Sequence, residues 1–414
     1  MPAKRALRYS KFHVSARGLP KKTAESQSAR EDERTETIIL LPTRNNKEPK
    51  YHPCQGKAVR NQADFTKNVL PYLAQLEEDE AGPDAAEISR RYGIFQERIV
   101  LLSRNENPYG ASPRVRAALI DVPVHRYPDS RSFLTALTSY TGYPEECLVA
   151  GAGMDEIITT ICRIFLGAGD KALIPVPTYN FYGLAVELCG AVPHYQPRLA
   201  GFSVDRKIPD GIKMTFLCSP NNPTGNALSE ENVRAVVEGT ESIVFLDEAY
   251  AEFAGKSLLK LVSEYDNLVV GRTLSKAFGL AGLRLGYAVA PPWIARQYRR
   301  VAPLFSISRL SLAAGVAALQ DLGWMRGCVG KIVAERERMR ESLASAHPSE
   351  GNFLYIHTEE KATVVVERLL CRGIVVRDCS SFPGSGENCL RVTVGRPEEN
   401  DRFLEEFEKA NTTS

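Results

Sequence analysis

Residues 242–246, Ser-Ile-Val-Phe-Leu, form an unbroken apolar run that ends at once in Asp247-Glu248-Ala249-Tyr250. A strand that is apolar along its whole length fits the interior of a parallel sheet covered on both faces. Two neighbours repeat the design. Met214-Thr215-Phe216 leads into Leu217-Cys218-Ser219-Pro220-Asn221-Asn222-Pro223-Thr224-Gly225-Asn226, and Asn267-Leu268-Val269-Val270-Gly271 leads toward Ser275-Lys276. From about Leu101 to Leu304 strand-like runs alternate with helical patterns, the βαβ rhythm of a mostly parallel, mixed sheet with helices on both faces. From Ser311 a long amphipathic helix is expected, with apolar positions continuing to Leu343. It leads into a smaller α/β unit holding Phe353-Leu354-Tyr355-Ile356, Ile374-Val375-Val376 and Leu390-Arg391-Val392-Thr393-Val394. The expected architecture is α/β, with a large domain over 104–308 and a small domain over 309–414. An arm over 61–103 precedes them, helical from Ala63 to Ile94 and ending at Tyr92-Gly93. Residues 1–60 are rich in Lys, Arg, Ser, Glu and Pro and read as a disordered extension.

Polar chemistry follows the strands. Lys276 sits between Ser275 and a Gly-rich stretch suited to close backbone approach to a ligand. A partly desolvated amine near fixed positive charge has a lowered pKa and becomes a nucleophile toward carbonyls. Ser275 and Arg284 suit a phosphate beside it, because a guanidinium fork matches phosphate oxygens. Together they describe a lysine that holds pyridoxal phosphate as a Schiff base. Asn222, Asp247 and Lys276 occur in order, each just beyond an apolar strand, where α/β sheets place ligand-binding groups. Individually each has a plainer reading: a turn for Asn-Pro-Thr-Gly, a helix cap for Asp247, a surface side chain for Lys276. A second glycine-bearing turn, Val149-Ala150-Gly151-Ala152-Gly153-Met154-Asp155-Glu156, opens an apolar helix pattern whose N-terminus suits a phosphate.

These motifs resemble the fold-type I pyridoxal-phosphate enzymes, of aspartate-aminotransferase-like fold. Asn105-Glu106-Asn107-Pro108-Tyr109-Gly110 and Asn388-Cys389-Leu390-Arg391 narrow the likeness toward the histidinol-phosphate aminotransferases. The resemblance runs from about residue 70 to about residue 400. It implies that Lys276 binds the cofactor and later shuttles a proton, and that Asp247 pairs with the pyridine nitrogen. Asn222 and Tyr250 would hydrogen-bond the phenolic oxygen, Tyr179 would lie on the ring, and the backbone amides of Met154 and Asp155 would cap the phosphate. Tyr109 is expected to reach the phosphate from a neighbouring subunit, so the site would be complete only in a homodimer, with 61–103 contributing to its interface. On the substrate side Arg391 matches the arginine for the α-carboxylate, though a surface arginine on a ladder strand is the alternative. Arg377 matches the arginine for a substrate phosphate, and Tyr72 the tyrosine of that pocket. Two departures stand out: Met154 where Ser or Ala is commoner, and Ser306 where Asn is usual.

The leading expectation is transamination between a phosphorylated amino alcohol, histidinol phosphate giving imidazole-acetol phosphate, and 2-oxoglutarate. Alternatives with the same cofactor are threonine-phosphate decarboxylation and aromatic amino-acid transamination; a non-catalytic regulator is a third class. Net charge is only +2, with fourteen Lys/Arg against six Asp/Glu in residues 1–60 and 38 against 44 in the rest. Nothing there suggests a nucleic-acid-binding body. Nine scattered cysteines without Cys-x-x-Cys spacing read as reduced thiols of a cytoplasm-like compartment, with no metal site expected. Because Arg, Lys and Ser precede the first acid, Glu25, an organelle transit peptide is a second reading of the N-terminus. No apolar run suggests a membrane span.

Overall fold

The computed structural model describes residues 66–76 and 82–411, within a compact unit spanning 62–414. The extension expected over 1–60 lies outside the described residues. Twelve strands are described: β1 (Val100–Leu101), β2 (Leu148–Gly151), β3 (Lys171–Val176), β4 (Val192–Pro197), β5 (Ile212–Cys218), β6 (Ile243–Asp247), β7 (Leu268–Thr273), β8 (Gly286–Val289), β9 (Phe353–His357), β10 (Ile374–Val375), β11 (Arg377–Asp378) and β12 (Cys389–Thr393). Seven of them form the main sheet in the order β2-β8-β7-β6-β5-β3-β4. Strand β8 runs antiparallel to both neighbours, and the remaining pairs are parallel.

Side-chain alternation along the central strands explains the covering on both faces. In β6, Val244 and Leu246 join one buried cluster with Phe133, Val233 and Leu312 from helices on that side. Ile243 and Phe245 point the other way, into a cluster with Ile157, Tyr182 and Ile294. The expected buried parallel strand therefore exists, and its apolar surface is removed from water on both sides. Register matters more for function. Cys218 stands opposite Asp247, and Asp247 opposite Gly271, so the carboxyl ends of β5, β6 and β7 lie side by side. That is where a ligand binds in an open α/β sheet.

The C-terminal part carries an antiparallel sheet in the order β11-β12-β9, and β10 pairs in parallel with β1. Two helical expectations need correction. Over 63–94, the described residues hold a helical residue at Thr66, a 3-10 turn at Leu73–Gln75 and the α-helix Ala85–Tyr92. Pro71 and Pro83 interrupt the longer pattern because proline lacks an amide donor and clashes with the preceding turn. The helix that does form begins where Asp84 accepts from the Glu87 amide at 2.7 Å and ends at Gly93, as expected. The long helix from Ser311 is two helices, Arg309–Leu319 and Leu322–Ser342. The break falls at Asp321, non-helical at φ −128° and ψ 57°, whose carboxylate accepts from Ser112 Oγ at 2.5 Å. A tertiary bond outside the helix pattern thus fixes the corner.

Candidate active site

A cavity of about 1190 Å³ opens at the carboxyl ends of β5–β7. Lys276, Asp247, Tyr250, Asn222, Tyr179 and Arg391 all line it. Lys276 follows β7 in a tight turn, and its Nζ donates to the Arg104 carbonyl at 2.9 Å. The amine is partly open to the cavity but surrounded by protein. Burial first, then the nearby Arg391 guanidinium, holds its pKa down to about 8. A neutral fraction at that amine is what nucleophilic attack on a carbonyl requires. Asp247 ends β6 and is 3% exposed. Its Oδ2 accepts from Tyr182 Oη at 2.7 Å and its Oδ1 from the Ala249 amide at 2.9 Å. Among the described residues no cation pairs with it, and burial pushes the carboxyl up to about 6. A buried carboxylate lacking a cation is the partner a protonated ring nitrogen needs.

The phosphate end sits at the N-terminus of the helix Met154–Phe165, which has no side-chain cap. Its first amides are free to bind an anion. Gly153 enters the helix at φ 90°, and a Cβ there would lie 2.6 Å from Arg284 Nη2. Arg284 itself is left-handed, φ 45°, and reaches back to Asp155 Oδ2 at 2.8 Å. Ser275 Oγ lies 3.5 Å from Arg284 Nη1. The Met154 departure has a structural counterpart: a Cβ on Gly271 of β7 would meet Met154 Sδ at 2.8 Å. The methionine side chain uses the space of a missing side chain, and its amide keeps its place. Tyr179 donates to Asp155 Oδ1 at 3.1 Å; burial, then Asp155, raises its pKa. Gly279, in the Gly-rich stretch after Lys276, lets two backbone segments pack closely: a Cβ there would lie 2.5 Å from the Gly110 backbone.

Arg391 and Arg377 stand directly opposite each other on β12 and β11. Both line the cavity. Arg391 donates through Nη1 to Asn222 Oδ1 and through Nη2 to the Ser103 carbonyl, while its Nε is buried without a partner. Among the described residues neither arginine has a carboxylate partner, and Arg377 lies over Phe382, 5.4 Å from the ring centroid. Like charges directly opposite each other across an antiparallel pair repel, and among the described residues no carboxylate offsets this pair. Other expectations separate from the cavity. Tyr72 packs toward Gly190, where a Cβ would lie 3.2 Å from the tyrosine ring, and it does not line the cavity. Tyr109 faces Lys331 and Arg396 across 5.0 and 6.0 Å, also outside it. Ser306 Oγ is committed to Glu156 at 2.8 Å.

Sequence reasoning missed Tyr182, one helical turn past Tyr179, and the role of Asn105 within its motif. It also missed that Asn221 and Asn222 divide their work. Asn221 ties Thr178, Arg198 and Thr224 into the loop, which frees Asn222 for the cavity.

The residues present fit pyridoxal phosphate: an amine at Lys276, an unpaired carboxylate at Asp247, and a glycine-lined, arginine-flanked helix N-terminus. Fold and site thus define a pyridoxal-phosphate-dependent aminotransferase. The sequence profile of the family "Aminotransferase class I and II" matches residues 97–407. The histidinol-phosphate aminotransferase of Methanosarcina mazei is 43% identical over 348 residues, covering 81% of this chain and 95% of that protein. Histidinol-phosphate aminotransferase 1 of Archaeoglobus fulgidus is 42% identical over 317 residues, covering 74% and 98%. The solved histidinol-phosphate aminotransferase of Sinorhizobium meliloti in complex with pyridoxal-5'-phosphate superposes with a TM-score of 0.73 at 24% identity, covering 82% of this chain and 96% of that one. The chain belongs to the class I and II aminotransferase family, in its histidinol-phosphate aminotransferase branch.

Proposed function

We propose that this enzyme moves an amino group between histidinol phosphate, giving imidazole-acetol phosphate, and the 2-oxoglutarate/glutamate pair, in histidine biosynthesis. The observation that carries the reading is the pair Arg377 and Arg391, opposite each other and without carboxylate partners at the cavity wall. Two guanidinium groups there suit a substrate that brings a phosphate in one half-reaction and a carboxylate in the other. In this reading Arg391 grips the α-carboxylate of glutamate and Arg377 the phosphate of the donor.

Bound pyridoxal phosphate supplies an electron sink for the electrons left at the substrate Cα when its proton departs. Lys276 would hold the cofactor, and its Nζ would take the proton that leaves the substrate Cα. Asp247 keeps the pyridine nitrogen protonated. Asn222 and Tyr250 orient the phenolic oxygen, and Tyr179 supports the ring face. The amides of Met154 and Asp155, with Ser275 and Arg284, hold the phosphate. We assign cofactor binding to residues 104–308 and much of the substrate side to 309–414, with 61–103 as an arm.

A homodimer is part of the proposal. Tyr109 lies outside the cavity of its own chain, and in this reading it serves a neighbour's. Ile120, Val124, Tyr127 and Leu304 are exposed apolar side chains of the kind a second copy covers. Tyr72 would act from the arm over 61–103. A cytoplasmic location is part of the same proposal. Among the described residues no helix is long and apolar enough to cross a membrane.

The test is single-turnover conversion of the bound cofactor to its amine form with a panel of donors. Histidinol phosphate should outpace threonine phosphate and aromatic amino acids. Carbon dioxide release without transamination would replace this reading with a decarboxylase.

A further inference from the structure

Asn105 opens the Asn-Glu-Asn-Pro-Tyr-Gly run and is 1% exposed. Its backbone is left-handed, φ 53°, a region asparagine enters more readily than most side chains. Its polar groups are all engaged. The Asn105 amide N–H donates to Thr393 Oγ1 at 2.9 Å, and the threonine hydroxyl gives its proton to Asn105 Oδ1 at 3.1 Å. The Asn105 carbonyl accepts from Asn352 Nδ2 at 3.0 Å. With Oδ1 turned to Thr393, Nδ2 faces Tyr250 and donates to its Oη at 2.9 Å. A phenol oxygen that accepts one bond keeps its own proton for a different acceptor.

We propose that Asn105 is a positioning residue that sets the polarity of Tyr250. A donor chain from the Asn105 backbone N–H, through Thr393 and the Asn105 amide, leaves the Tyr250 hydroxyl proton free to be donated into the cofactor cleft. The proposal rests on the reading of Tyr250 as a partner of the cofactor's phenolic oxygen. Donation to that oxygen stabilises its negative charge, weakens its hold on the proton of the adjacent lysine–cofactor linkage, and so keeps that linkage's pKa low. Thr393 lies two residues from Arg391 on β12, and Arg104, whose carbonyl accepts from Lys276, precedes Asn105. The relay therefore joins the strand of the substrate arginine to the cofactor's lysine. The other charged and titratable groups around Tyr250 include Arg391, Asp247, Cys218 and Tyr179, with Lys276 Nζ 5.9 Å from its ring centroid.

The experiment follows the visible absorption of the cofactor-loaded full chain against pH, without substrate. Asn105→Asp preserves shape but presents an acceptor to Tyr250, which reverses the bond. The absorption midpoint should rise, in the same direction as in Tyr250→Phe. A bare negative charge would raise it equally with or without the Tyr250 hydroxyl, so the relay requires the two substitutions to be coupled by about one pH unit. Thr393→Val, which is neutral and releases the amide, should shift the midpoint the same way by less. Thermal melts establish that each variant is folded; should Asn105→Asp fail to fold, the Thr393→Val midpoint decides. Equal Asn105→Asp shifts in both backgrounds, or an unmoved midpoint in Thr393→Val, would overturn the relay and leave aminotransfer untouched. An unmoved midpoint in Tyr250→Phe would overturn it through its premise, while the donor-panel assay still judges the reaction.

Discussion

Replacing Asp247 by Asn should make the cofactor-free protein more stable at neutral pH while it disables the enzyme. The carboxyl titrates at about 6 in the fold because it is buried without a cation, against about 3.9 in an unfolded chain. A folded pKa raised above the unfolded value means the fold binds the proton more tightly. Its contribution is fully present below about pH 4 and is lost as pH rises through about 6. A shift of about two units amounts to about 3 kcal/mol at pH 7 and above. Asparagine escapes this cost: its Oδ1 can accept from the Ala249 amide and its Nδ2 can donate to Tyr182 Oη, in place of the bonds now made by the carboxylate. Lys276 titrates in both proteins, so its effect drops out of the difference between them. The assay is urea unfolding of cofactor-free protein at several pH values and fixed concentration. The variant's advantage should be near zero at pH 4 and grow to about 3 kcal/mol by pH 7. Added pyridoxal phosphate should then stabilise the wild type more than the variant. An advantage that stays flat from pH 4 to 8 would refute the picture of a carboxylate buried in wait for a cation.

Arg377→Met should lower kcat/KM for phosphorylated donors by about 30-fold or more, since losing one partner of a charge pair enclosed by bound substrate costs about 2–5 kcal/mol. Unphosphorylated donors should change far less, and equal losses in a steady-state comparison would remove Arg377 from the substrate pocket. Gly153→Ala places a Cβ against Arg284 at a backbone angle that L side chains rarely adopt. It should weaken pyridoxal phosphate binding by about 1–3 kcal/mol, read by fluorescence titration, and unchanged binding would move the phosphate elsewhere.

Much of the site was legible in the sequence because its groups sit at strand ends, and apolar strands announce themselves. Once Ser242–Leu246 is read as a buried parallel strand, Asp247 must lie at the carboxyl end of the sheet. The same logic brings Asn222 and Lys276 beside it. What the sequence hid is whatever depends on distant contacts. The corner at Asp321 is fixed by Ser112, 209 residues away. The opposition of Arg377 and Arg391 is a matter of register between β11 and β12, which no local pattern specifies. Asn105 reads as a turn residue until Thr393 and Tyr250, 288 and 145 residues distant, are brought against it. Tyr72 and Tyr109 are the reverse case: their motif is local, but their place in this chain lies outside its own cavity.

The measurement that bears most directly on the account is borohydride reduction of the cofactor-loaded protein, followed by mass spectrometry of its peptides. The stable adduct should map to Lys276 alone and vanish in Lys276→Ala. An adduct on a different lysine, or one that persists in the substituted protein, would contradict the assignment on which every other role depends.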